Sequence, residues 1–464
     1  MVGITRLGTY FPRRRLERSL IAKAWGGRAG GTRTVAAADE DALTMAVEAC
    51  LACGDGEAPP TDAVYFASTS APYLEKQIAS VVATVLDLPR ATAVADFAGS
   101  LRTAAGALRA ALDGVAAGSL GRALAVAADA RVAEPESALE VQLGDGAACA
   151  QVGGEGVIAA LVGGASVAQE FTHFWRTDRQ RYVQVADARF GNQYGYGVDV
   201  PEAVGAALRK AELPPEKVAA FALAAPDPKA AAAAAKRIGA NPERQLVAAL
   251  AAEAGMLGAP EPFVLLSRAL ETAAPGDFVV MAAYGEGADA LVFRATDALP
   301  GARPRPLADA IAGGLPLASY EKYLRARAIL PADVGGEPFS TYMEWKELRQ
   351  DVRLYGSRCE ACGLVQYPQT RVCHQCQARD RMSEHKLAKQ GTVFTFTIDH
   401  LIGQVQEHPM PMAVVDLDGG GRVYMQGTDC AEGEIDVGRR VRLTYRRLHE
   451  AGGNRNYYWK VRPA

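Results

Sequence analysis

Phe278-Val279-Val280-Met281-Ala282-Ala283-Tyr284, followed at once by Gly285-Glu286-Gly287-Ala288-Asp289, decides how the first two-thirds of this chain is read. An unbroken apolar run closed by a tight glycine turn is the pattern of a buried strand. A second acidic, glycine-containing turn, Gly144-Asp145-Gly146-Ala147-Ala148, stands near the end of the preceding half. The pair points to an internal duplication. Working outward, residues 42–52 (ALTMAVEACLA), 78–86 and the alanine-rich 229–237 predict helices, whereas 63–68 (AVYFAS) and 123–128 predict strands. Strands alternating with helices predict layered α/β architecture.

Residues 299–317 hold Pro300, Pro304, Pro306 and Pro316 and read as a linker. Residues 319–330 predict a helix with a basic face. The composition changes after Gly335-Gly336, where paired cysteines, most of the histidines and short strand-like runs begin (392–398, 412–417 and 441–445). Short strands with glycine turns predict a small β-barrel. The expected domains are 1–165, 166–334, 335–384 and 385–464.

Of 464 residues, 49% are hydrophobic and 22% charged, and the net charge of −3 excludes the basic footprint of a nucleic-acid binder. No charge-free apolar run reaches the ~18 residues of a membrane span. The opening Met1–Arg6 is not a basic stretch leading into an apolar signal core, so a cytoplasmic location is expected. Eight cysteines are too sparse for a disulfide scaffold.

Cys359-x-x-Cys362 and Cys373-x-x-Cys376 have zinc-ribbon spacing. Two tight turns bring four thiolates onto one tetrahedral ion and leave no open position for water, so the zinc is expected to be structural. Cys50-x-x-Cys53 has no second pair nearby and reads as small buried thiols at a helix end; Cys149 reads as core-facing.

Several stretches resemble hydroxymethylglutaryl-CoA synthase, a member of the thiolase superfamily: 8–13 (GTYFPR), 21–26, 39–49 (DEDALTMAVEA), Phe174-Trp175-Arg176 with Arg189-Phe190, the two glycine turns, and 320–324. Residues 359–376, Tyr367-Pro368, 391–397 (GTVFTFT) and 411–417 (PMAVVDL) resemble the acyl-CoA-associated zinc-ribbon and OB-fold proteins. The resemblance implies a duplicated, layered thiolase-like α/β fold followed by a rubredoxin-like zinc ribbon and a small OB-type barrel. It also implies a CoA thioester as ligand or substrate, a dimer or larger assembly, and a catalytic thiolase-like subunit as partner.

Such a synthase needs a cysteine to carry the acyl group, a histidine and an asparagine at the thioester, and a glutamate for acid–base work. By the resemblance these positions fall on Gly99, Ala224, Met256 and Thr69, and all four groups are missing. Residues 1–330 contain only Cys50, Cys53 and Cys149 as cysteines and only His173 as a histidine. Ser100 is the nearest hydroxyl to the nucleophile position, although no histidine is placed to activate it; a turn role is expected. His173, just before Phe174-Trp175, is expected at the surface or the substrate's edge.

Four readings follow. In the first, the chain is a non-catalytic subunit of a thiolase-type complex acting on CoA thioesters. In the second, tyrosines (Tyr73, Tyr194, Tyr196 or Tyr284) cleave a β-hydroxyacyl-CoA. Authentic hydroxymethylglutaryl-CoA synthase activity is a third, weighed against four missing groups. Binding of single strands through Arg446, Arg447, Tyr457, Tyr458, Trp459 and Lys460 is a fourth. No nucleic-acid partner is expected from the acidic balance. Arg33, Lys76 and Arg102 are possible cations for the CoA phosphates, and solvated surface charge is the plainer reading of each.

Overall fold

The computed structural model describes residues 1–330, 340–400 and 409–464. They form two compact units, one of Met1–Ala36 and Asp41–Tyr320, the other of Ala37–Glu40 and Glu321–Ala464. The expected boundary at Gly335-Gly336 lies outside the described residues.

The first unit is built on a nine-stranded sheet in the order Val218–Leu223, Phe278–Tyr284, Gly287–Ala295, Ala159–Ala168, Gly3–Tyr10, Gly146–Gly153, Arg122–Asp129, Ala63–Ala67, Ala93–Phe97. The duplication is visible in the pairing. Ala63–Ala67 runs parallel to Ala93–Phe97 and to Arg122–Asp129, which turns back antiparallel through Gly146–Gly153. Val218–Leu223 likewise runs parallel to Phe278–Tyr284, which turns back through Gly287–Ala295, and a parallel bridge from Phe221 to Leu246 stands where the first repeat has Ala93–Phe97. Each glycine turn therefore opens the returning strand of its repeat.

Phe278–Tyr284 is apolar throughout because both of its faces are covered. Val279, Met281 and Ala283 enter one core with Leu108 and Leu112 of helix Thr103–Ala116 and Phe263, Leu266 and Leu270 of helix Glu261–Thr272. Val280, Ala282 and Tyr284 enter a second core with Val200, Ala203 and Val204 of helix Gly197–Lys210. The first core also takes Ala125 and Ala150 from the other repeat, so those two helices lie between the halves of the sheet. Helix Ala42–Cys53 starts on a capping box, Asp41 accepting from Thr44 N at 3.1 Å while Thr44 Oγ1 accepts from Asp41 N at 3.0 Å. It ends so close to Gly8 that a Cβ there would stand 2.2 Å from Cys53 N.

The expected linker is part of this unit. Residues 299–317 hold the helix Leu307–Ala312, whose Leu307 is buried in the core, and the short strand Leu315–Pro316, paired parallel with Arg14–Glu17. Its prolines stand beside or inside short elements: Pro306 caps the helix, and Pro316 lies in an edge strand of a three-stranded sheet, where a missing N–H costs little.

The second unit holds a three-stranded ribbon (Val365–Gln366, Tyr355–Cys359, Met382–Lys386) and a five-stranded antiparallel sheet. The sheet runs Arg422–Gln426, Met410–Leu417, Gln390–Asp399, Arg440–Ala451, Asn454–Pro463, and a parallel bridge between Gly427 and Val461 closes it into a barrel. Alternate residues fill the interior: Val393, Ala413, Val415, Val423, Met425, Val441, Leu443 and Trp459 are buried. Within this unit Lys460 Nζ lies 2.8 Å from Asp39, and Arg446 lies 3.1 Å from Glu40 and 2.8 Å from Asp429. Arg446, Trp459 and Lys460 are therefore interior (0%, 1% and 2% exposed), which removes them from the single-strand surface weighed above. Among the described residues no helix is long and apolar enough to cross a membrane.

Candidate functional site

Ala224 and Met256, the histidine and asparagine positions of the resemblance, line one pocket together with Leu101, Phe174, Glu261 and Tyr284. The tertiary structure thus brings these two of the four degenerate positions together, but the space is only about 30 Å³. Clefts that hold a small-molecule ligand typically run to ~300–1,000 Å³. Burial pushes the Glu261 carboxyl up to about 7, against the pull of the Arg131 guanidinium and the Leu257 and Gly258 N–H groups. A carboxyl whose folded-state pKa is raised binds its proton more tightly than in the unfolded chain, so stability falls as pH climbs from the ordinary carboxylate range through about 7. Glu261→Gln is expected to flatten that fall; urea midpoints at pH 5 and pH 8 with the same slope in both proteins would show that Glu261 does not cause it.

Thr69, the glutamate position, is tied into a structural network. Asp129 is fully buried and accepts five hydrogen bonds: from Thr69 N (2.8 Å), Thr69 Oγ1 (2.9 Å), Ser68 Oγ (3.0 Å), Ser70 Oγ (2.8 Å) and Ala259 N (2.9 Å). Asp129 was not singled out from the sequence; the hydroxyl run Ser68-Thr69-Ser70 is the signal that could have found it.

Gly99, the nucleophile position, has φ +89°, and an added Cβ would meet nothing within 4 Å, so there is room for a side chain where none is carried. Ser100 Oγ donates to Gly285 O at 3.1 Å, a turn-to-turn contact with no base in it.

His173 is not at the surface. It is buried (2% exposed), stacks on Phe174 at 4.3 Å, and has Nδ1 3.3 Å from the Tyr284 hydroxyl. Burial lowers its pKa and keeps the ring neutral. The reason for its position is the close approach of the backbone at Gly191, where a Cβ would stand 2.3 Å from His173 Nε2. Burial raises the Tyr284 phenol, with Asp199 and Glu286 adding to the shift, and raises that of Tyr196, 5.3 Å away ring to ring. Both stay protonated at neutral pH, as donors and not as bases. Tyr194 is 51% exposed and leans on Phe190, outside this group. Tyr73 lies under the Lys76 ammonium at 4.9 Å.

The candidate phosphate cations diverge. Arg33 is 1% exposed and donates to the Glu140 carbonyl, so it is neither a solvated charge nor within reach of a dissolved phosphate. Arg102 donates to Val167 O at 2.8 Å and lies 3.7 Å from Asp289. Lys76 is exposed.

The four ribbon cysteines converge. Cys359 and Cys376 have Sγ atoms 3.6 Å apart, Cys362 and Cys373 3.5 Å, and all four lie within 4.8 Å of one another. A tetrahedron with Zn–S bonds of ~2.3 Å has edges of ~3.8 Å, so the donor set fits zinc. Tight turns make the fit: Gly363 N donates to Cys359 O at 2.8 Å and Gln377 N to Cys373 O at 3.1 Å. Backbone N–H groups of Cys376 and Gln375 draw the Cys373 thiol down to about 6. Cys50, Cys53 and Cys149 are buried together, and burial, with hydrogen bonds from Cys50 and Cys53, pushes the Cys149 thiol up.

Residues 347–381 match the family described as the rubredoxin-like zinc ribbon domain of ChsH2, and 384–446 match its C-terminal OB-fold domain. The DUF35 domain-containing scaffold protein of Methanocaldococcus jannaschii is 30% identical over 123 residues, covering 26% of this chain and 87% of that protein. The hydroxymethylglutaryl-CoA synthase of Methanopyrus kandleri is 27% identical over 340 residues, covering 70% of this chain and 97% of that one. The solved structure of MvaS in complex with 3-hydroxy-3-methylglutaryl coenzyme A superposes with a TM-score of 0.62 at 22% identity, over 73% of this chain and 94% of that one, a likeness of fold.

Proposed function

The chain belongs to the DUF35 domain-containing family, with a hydroxymethylglutaryl-CoA synthase-like region of thiolase fold ahead of that domain, and on this basis we propose that it is a non-catalytic subunit of a thiolase-type complex acting on CoA thioesters. The observation that carries the reading is the pocket: Ala224 and Met256 line it, Thr69 is held by Asp129, Gly99 offers no nucleophile, and the space is about 30 Å³. A partner then supplies the cysteine and histidine of the condensation. The relative from Methanocaldococcus jannaschii, named a scaffold protein, supports a bridging role for the ribbon and barrel. A structural zinc sits on Cys359, Cys362, Cys373 and Cys376 in this reading. The unpaired outer edge of Ala93–Phe97, last in the sheet order, supports a dimer or larger assembly. Four zinc thiolates and three buried thiols suit a reducing, cytoplasmic compartment.

Native co-purification with mass spectrometry of the intact assembly tests this. A stable partner carrying a thiolase cysteine and histidine, and no acetyl adduct on this chain after exposure to acetyl-CoA, is the expected result. A homo-oligomer that cleaves β-hydroxyacyl-CoA by itself, and loses that activity in Tyr284→Phe, would overturn it.

A further inference from the structure

Asp199, in the first turn of helix Gly197–Lys210, is fully buried, yet neither carboxylate oxygen has a hydrogen-bond partner among the described residues. Such groups are rare because desolvation is uncompensated, and each calls for a ligand, a water or a proton. The charges acting on it are Glu202, which repels, and Arg102, which attracts while engaged by Val167 O at 2.8 Å and by Asp289 at 3.7 Å. Burial raises the Asp199 pKa, with Glu202 adding to the shift and Arg102 opposing it.

The neighbourhood repeats the anomaly. The helix is entered through a π-turn, Gly191–Tyr196, a backbone form concentrated at functional sites. Tyr196 precedes Asp199 by three residues, on the same helical side, and its buried hydroxyl is also without a partner. Asn192 Oδ1 and Glu286 Oε2 are buried and unpartnered, while the Asn192 amide is held by Asp227 at 2.6 Å. The Asp199 and Glu286 carboxylate oxygens and Asn192 Oδ1 only accept hydrogen bonds, and the Tyr196 hydroxyl can accept as well as donate, so what completes the carboxylate and amide oxygens is a donor or a positive charge. A divalent ion gathers several carboxylates. Among the described residues the four ribbon cysteines are the only group of three or more His, Cys, Asp or Glu close enough to hold a metal, so no such cluster of carboxylates is gathered around Asp199. One buried carboxylate balances one charge.

We propose that Asp199 is the anionic ligand of a buried site for a monovalent cation (potassium, sodium or ammonium) at the junction of the π-turn and helix Gly197–Lys210. The site is independent of the reading of the pocket.

The full chain is exchanged into choline chloride and melted with KCl, NaCl or NH4Cl replacing choline at constant ionic strength. At least one small cation is expected to raise the melting temperature by about 2 °C or more. The salt that does so identifies the ion. Asp199→Asn keeps the shape and removes the charge, so it is expected to lose that gain. Equal melting in every salt, or the same gain in Asp199→Asn, overturns the proposal. Should Asp199→Asn fail to fold, thallium(I) binding to the unaltered protein decides: a single ion per chain displaced by KCl supports the site, and none overturns it.

Discussion

Cys373→Ser is expected to unfold the zinc ribbon. The ribbon consists of three short strands, one of only two residues, and such a piece cannot bury enough apolar surface to stand by itself. A structural zinc on cysteines contributes roughly 10–16 kcal/mol of apparent binding free energy, which is folding free energy for the segment it closes. Removing the thiolate already drawn down to about 6 removes the ligand most readily ionised at neutral pH. The expected result is loss of bound zinc by elemental analysis and loss of hydrogen-exchange protection across 355–386. The strand Phe278–Tyr284 should stay protected, since its stability comes from two apolar cores. Thiol labelling gives a parallel check. Chelation should expose Cys359, Cys362, Cys373 and Cys376, while Cys50, Cys53 and Cys149 stay unreactive until denaturant is added, because all three are buried and burial raises the Cys149 thiol pKa. Full zinc content and an unchanged exchange pattern in Cys373→Ser would falsify the structural-zinc assignment.

Lys460→Met should cost the second unit about 3–5 kcal/mol, the usual result of leaving one member of a buried ion pair without the other. Asp39 is nearly enclosed, 2.8 Å from the Lys460 ammonium and 2.9 Å from Thr428 Oγ1. Burial alone would raise its carboxyl, but Lys460 and then Arg446 pull harder, and the net effect is a lowered pKa. A carboxyl depressed in the folded state stabilises fully above its unfolded pKa of ~3.9 and loses that contribution as pH falls through the folded value. The variant's deficit should therefore be full at neutral pH and shrink in acid. Asp39→Asn combined with Lys460→Met should recover part of the loss, since the second change removes the stranded charge. A loss below ~1 kcal/mol, with no coupling between the two changes, would place this pair among ordinary exposed ion pairs.

Local patterning made much of the architecture legible. The run at 278–284 was found with its observed bounds, the helix expected at 42–52 is Ala42–Cys53, that at 78–86 is Ile78–Val85, and that at 229–237 is Pro228–Ile238. Each is declared by its own apolar spacing, and the helices Ala42–Cys53 and Pro228–Ile238 also by caps within a few residues, such as Asp227 accepting from Lys229 N and Ala230 N. Where prolines were read as a linker, the same residues start a helix and an edge strand, because their partners (Arg14 and Arg15) stand some 300 positions earlier.

The candidate site divides in the same way. Cysteine spacing and the absence of Cys, His, Asn and Glu from four motif positions are properties of the sequence, since they need only neighbours in the chain. Which polar groups are enclosed was decided by the tertiary structure. Arg33, Arg446 and Lys460 looked like surface charge and are interior; His173 looked peripheral and lies against Gly191 and Tyr284; Asp129 and Asp199 carried no local signal at all. A buried charge is defined by what packs against it from distant segments, as Ser68, Thr69, Ser70 and Ala259 do around Asp129, and one-dimensional periodicity holds no record of those encounters.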